Sequence, residues 1–168
     1  MTRRPEATPT ERVSRGPAFY SEPRLLRRRW ARDGWALLHP PYTAWHLAYV
    51  VIGACLLAPV SVSRLLATLL AFFLAVGVGA HALDELHGRP LRTELPDWVL
   101  VTAAVLGVGG AAVIGVIGIA TVGLWLAAFV AVGVVLAVGY NLELFGGALH
   151  SDAVFAAAWG AFPVLTAY

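Results

Sequence analysis

Residues Trp98 to Leu142 read WVLVTAAVLGVGGAAVIGVIGIATVGLWLAAFVAVGVVLAVGYNL, forty-five positions without one Asp, Glu, Lys or Arg. A helix crossing the roughly 30 Å hydrocarbon core of a bilayer needs about 20 such residues. The stretch therefore reads as two crossings joined by a tight turn at Gly118, Thr121 and Gly123. Composition agrees: the chain is 59% hydrophobic and 13% charged, with mean hydropathy +0.74. Soluble domains carry about 25% charged residues.

Working outward, the sequence predicts an all-α, polytopic transmembrane helix bundle of four to five spans. The first runs from about Thr43 to Val60, the second from about Leu65 to Leu86. The third starts at Pro96–Asp97 and reaches about Ile117, and the fourth ends near Tyr140. A fifth apolar run, Ala153–Tyr168, is 16 residues long, short of a usual crossing. The chain stops inside it, which predicts a truncated polypeptide. Pairs of small residues one turn apart, Ala75/Gly79 and Ala111/Gly115, allow close helix approach.

Residues 1–38 form a separate polar, Arg-rich N-terminal segment, expected to be partly disordered; residues 39–168 form the transmembrane domain. Arg24, Arg27, Arg28, Arg29 and Arg32, interleaved with Trp30 and Trp35, stand just ahead of the first span. In that position they point to lipid headgroups rather than nucleic acid, and Pro23–Leu38 has the makings of an interfacial helix. About forty mostly polar residues before the first span are too many for the n-region of a signal peptide. An N-terminus on the cytoplasmic side puts eleven Arg inside and only Arg64 outside, as the positive-inside rule requires. All twelve basic residues are Arg, so a lysine Schiff base is excluded. The lone Cys55 excludes an intrachain disulfide and a zinc knuckle.

This topology gathers the conspicuous polar residues on the inner face. His46 lies at the inner end of span one, with His81, Asp84, Glu85 and His87 at that of span two. Tyr140, Asn141, Glu143, His150 and Asp152 surround the loop after span four. His81, Asp84 and Glu85 share one helical face, a set able to hold Mg²⁺, and Arg89 and Arg92 offer forked donors to phosphate. The same residues also suit plainer roles. Asp84 and Glu85 fit headgroup-level charges with Arg89 as partner, and Asp97 and Asp152 fit helix N-caps. Tyr42, Tyr140, Trp35 and Trp98 fit an interfacial belt. A transition-metal site from His81, His87, Glu143 and His150 is a further possibility.

The order of features resembles the N-terminal part of UbiA-type intramembrane prenyltransferases. The resemblance rests on His39-Pro40-Pro41-Tyr42-Thr43-Ala44-Trp45 leading into an apolar span, and on a second helix ending in acids before Arg89-Pro90-Leu91. It rests also on Tyr140 ending the fourth helix, followed by Asp152 and Trp159-Gly160-Ala161-Phe162-Pro163. It implies transfer of a prenyl group from an isoprenoid diphosphate to a lipophilic acceptor, with Mg²⁺ at His81, Asp84 and Glu85 and substrate contacts from Arg89, Arg92 and Tyr140. The family's N-x-x-x-D-x-x-x-D motif falls on His81, Glu85 and Arg89, or one position earlier on Ala80, Asp84 and Gly88. Its Tyr-x-x-x-Lys falls on Tyr140 and Leu144. Membrane lipids are the other expected partners. A non-catalytic membrane assembly or lipid-binding protein of the same fold, or a membrane metalloprotein using His81, His87, Glu143 and His150, is the alternative function.

Overall fold

The computed structural model describes residues 28–168, and within them every regular element is helical. Arg24, Arg27 and most of the Arg-rich segment lie outside the described residues. The short helix expected before the first apolar run is α1, Arg29–Leu38. It closes at His39, whose left-handed backbone (φ 43°) lets its N–H bond back to Trp35 and Ala36. Two prolines at once restart the chain as α2, Pro40–Cys55, because proline has no N–H to lose in a first turn.

Helix α3 spans Val62–Leu86 and α4 spans Asp97–Val122. At 25 and 26 residues they are about 37 and 39 Å long, and both are long and apolar enough to cross a membrane. The core helix of a soluble protein would be mostly buried. In α4 only 17% of the most apolar window is buried, and Val105, Leu106, Val113, Val116 and Ile117 face outward. Pro96 and Asp97 begin α4, and Gly123 ends it at φ 136°. Helix α5, Leu126–Asn141, and helix α6, Asp152–Ala167, are shorter. The expected Asp caps lie one residue inside their helices. Pro96 and Ser151 occupy the N-cap positions, and Ser151 Oγ accepts the Val154 N–H at 3.4 Å.

Two helices carry a wide-turned π segment, Phe73–Ala80 in α3 and Ala156–Ala161 in α6. The first packs against α4 with almost no side chain between the backbones. A methyl group on Gly107 would sit 2.6 Å from the Gly79 nitrogen and 2.6 Å from the Leu74 carbonyl oxygen. A similar approach joins α2 to α6, where a methyl on Gly53 would meet the Val164 carbonyl oxygen at 2.3 Å. Leu37 of α1 completes the bundle, packed with Ala82, Leu100 and Ala104 against α3 and α4.

Candidate functional site

The polar residues gather where α1, α2, α3, α5 and the start of α6 meet. His81 stands near the end of α3, its ring 5.6 Å from that of His39 and 5.8 Å from that of Tyr42. Its Nδ1 lies 3.4 Å from the Gly77 carbonyl oxygen, as the donor in one tautomer. On the opposite wall Tyr140 stacks on His150 at 4.5 Å and leans on Trp159 at 4.6 Å. Phe155 closes the ring of aromatics, 6.5 Å from Tyr42 and 6.2 Å from Tyr140. Beneath them Val76, Ala158 and Trp159 form an apolar floor.

Asp84 is half-buried beside this group and feels the charges of His150, Glu85, His87 and Glu143. Glu143, in a turn at φ 48°, stands between two imidazoles. Its oxygens lie 3.9 Å from His87 Nε2 and 4.0 Å from His150 Nδ1. The loop after α3 thus meets the loop after α5.

Glu85 is fully buried and turned the other way. Its Oε1 accepts the Thr93 N–H at 2.7 Å and the Thr93 hydroxyl at 2.8 Å, and its Oε2 accepts the Leu91 N–H at 2.8 Å. Arg89 is committed to the same loop: Nη1 donates to the Leu95 carbonyl at 2.6 Å, and the guanidinium pairs with Asp97. Arg29 of α1 pairs with Glu94, and Asp33 accepts the Glu94 N–H at 3.3 Å. A buried carboxylate needs such donors, so Glu85 acts as a clasp holding residues 91–93. Arg92 is exposed beyond it, at φ 53°.

Of the residues singled out in the sequence, His81 and Tyr140 belong to the aromatic pocket and Asp84 borders it. Glu85 and Arg89 belong to the loop clasp, and Arg92 faces outward. Glu85 is turned onto Leu91 and Thr93, so His81, Asp84 and Glu85 do not converge as one set in this arrangement. Among the described residues, no three His, Cys, Asp or Glu side chains come together as a metal-holding group.

His39, Phe155 and Trp159 complete the pocket and were not among the expected site residues. His39 carried one signal, a polar residue immediately before the Pro-Pro helix start. The Glu85–Thr93 contact spans eight residues across a loop, a separation at which helical periodicity carries no information. Burial lowers the His39 pKa below its ordinary value of 6.5, because an imidazolium is poorly solvated there. The pocket is an aromatic-walled surface able to exchange single hydrogen bonds, with acidic groups on its rim. No family model matches the chain, and neither a curated protein nor a solved structure matches it.

Proposed function

We propose that the chain is a multi-pass membrane protein of UbiA-like architecture, its N-terminus in the cytoplasm. In this reading it holds an isoprenoid amphiphile with its polar head at the His81–Tyr140 pocket. The observation that carries the reading is the convergence of His39, Tyr42, His81, Tyr140 and His150 at one end of an otherwise apolar bundle. Polar groups at lipid depth are costly and mark binding sites. Helices α2, α5 and α6, too short for an upright crossing on their own, count as spans once flanking turns and local bilayer thinning are included.

The resemblance implies a catalytic form of this function, divergent prenyl transfer from an isoprenoid diphosphate to a lipophilic acceptor with Mg²⁺. One observation favours the non-catalytic form, a lipid-binding or assembly protein. Glu85 and Arg89, which a diphosphate clamp would use, are spent on the 91–95 loop. Binding of farnesyl diphosphate and of farnesol to the protein in detergent, with Mg²⁺ or with EDTA, separates the two. Diphosphate binding that requires Mg²⁺ and is lost in Asp84→Ala supports the transferase. Metal-independent binding of farnesol that weakens in His81→Ala or Tyr140→Ala supports the non-catalytic form. Binding of neither compound rejects both.

A further inference from the structure

A cavity of about 420 Å³ lies between α2, α3, α4, α5 and α6, reaching from Val76, Ala158 and Trp159 beneath the aromatic pocket to Arg64 and Thr121. That volume lies within the range of small-molecule sites. One side is a run of rings in edge or tilted contact: His46 to Phe72 at 5.6 Å, Phe72 to Phe162 at 6.0 Å, Phe162 to Phe129 at 5.9 Å, and Phe129 to Trp125 at 5.7 Å. The run leads from the floor of the cavity to its rim near Arg64 and Thr121. Arg64 already donates to the Thr121 carbonyl at 3.3 Å, at the exposed edge.

The floor is the unusual part. His46 is only 2% exposed and lines the cavity, yet neither ring nitrogen has a hydrogen-bond partner. The Trp159 backbone is the nearest partner, a weak contact that falls outside ordinary hydrogen-bond geometry. Buried polar groups are almost always paired, and an orphaned imidazole costs free energy that a cavity-bound partner would recover. Leu, Phe or Val would have packed there at no such cost.

We infer that this cavity is a binding site for an uncharged lipophilic alcohol or ketone, its oxygen bonded to His46 and its apolar body lying along the aromatic run toward Trp125. A neutral imidazole offers one N–H and one lone pair, which a hydroxyl can meet from either side and a carbonyl can meet at the N–H. An anionic head is disfavoured at the floor, because the surrounding walls are apolar and burying a charge there is prohibitive. The site reaches Val76, Ala158 and Trp159, the floor of the aromatic pocket, but includes neither Asp84 nor Glu85 in its lining, and the inferred ligand needs no metal or diphosphate.

The test uses the full chain in detergent micelles, photolabelled with diazirine-bearing hexadecanol and, separately, with the matching diazirine-bearing hexadecane. Labelling by the alcohol should map to peptides containing Phe72, Phe129 or Phe162. His46→Phe should reduce alcohol labelling about fivefold, the size of one hydrogen bond, and leave hydrocarbon labelling unchanged. Its melting temperature should stay level or rise, since an unpaired polar group is replaced by an apolar ring. Gly133→Leu, which fills the cavity beside Phe162, should reduce labelling by both probes. Unchanged alcohol labelling in His46→Phe, equal loss of both probes in that variant, a lowered melting temperature, or full labelling of Gly133→Leu would each overturn the assignment.

Discussion

At the residue scale, Glu85 and His39 make the sharpest commitments. Glu85→Ala removes the acceptor for two backbone N–H groups and a hydroxyl in a fully buried position. It should cost about 2–4 kcal/mol and expose the 87–95 loop to limited proteolysis. Glu85→Gln keeps two acceptor lone pairs on one oxygen and should lose less. Equal stability of all three proteins in detergent unfolding would refute the clasp. For His39 the sign follows from burial: the unfolded chain binds a proton more readily than the folded one, so stability is fully present above pH 6.5 and falls as pH drops below it. Unfolding measured from pH 8 to pH 5 should show a loss of stability, and His39→Gln should make it smaller without abolishing it. The helical spacing of His81, Asp84 and Glu85 was legible in the sequence, but the direction of each side chain was not. Glu85 turns away because Thr93 and Leu91 present unpaired donors at that spot, a fact that only the folded loop supplies.

At the scale of elements, the small residues decide how near the helices come. Gly79 was legible as a packing position. Its partner across the interface is Gly107, and Gly115, the other small residue singled out on α4, admits Val130 of α5. The choice depends on the rotation of α3 about its axis, which sequence periodicity does not fix when a helix is apolar all round. Gly107→Ala would press a methyl onto the Gly79 nitrogen and the Leu74 carbonyl. Backbone atoms cannot rotate away as a side chain can, so the variant should lose about 1–3 kcal/mol. Gly109→Ala on the same helix meets nothing within 4 Å and serves as the control. A drop in melting temperature for the first variant and none for the second is the expected result.

For the whole molecule, the helical class and the helix starts were legible, but α2 stops at Cys55 rather than Val60, and α4 runs through Gly118 and Thr121 to Val122, past the expected turn. The number of crossings was less so, because helix length alone decides only some of them. Two helices reach bilayer length by themselves, and the higher count of spans is a matter of topology. Reporter fusions after Arg32, Arg64, Arg92 and Gly147 test it, and the proposed arrangement requires inside, outside, inside, inside. An outside signal at Arg92 would mean that α3 does not cross as drawn. The Arg asymmetry behind the orientation rests largely on the nine Arg before Thr43, so replacing Arg24, Arg27, Arg28 and Arg29 with Gln should weaken the preference, read as mixed signals from the same fusions.

The π segment Phe73–Ala80 governs rotation as well as packing. A π turn holds one residue more than the α-helix would place there, and each residue advances a helix by about 100°. The segment therefore acts as a phase setter between the two halves of α3: Arg64, Phe72 and the outer cavity on one side, His81, Asp84 and Glu85 on the other. Deleting Val78 would let the helix relax to regular geometry and remain a helix. Because the wide turn had absorbed the extra residue, the halves before and after it would keep about the same relative rotation. Far-ultraviolet circular dichroism of such a deletion should show helix content retained, with the 87–95 loop still protected from limited proteolysis by the Glu85 clasp.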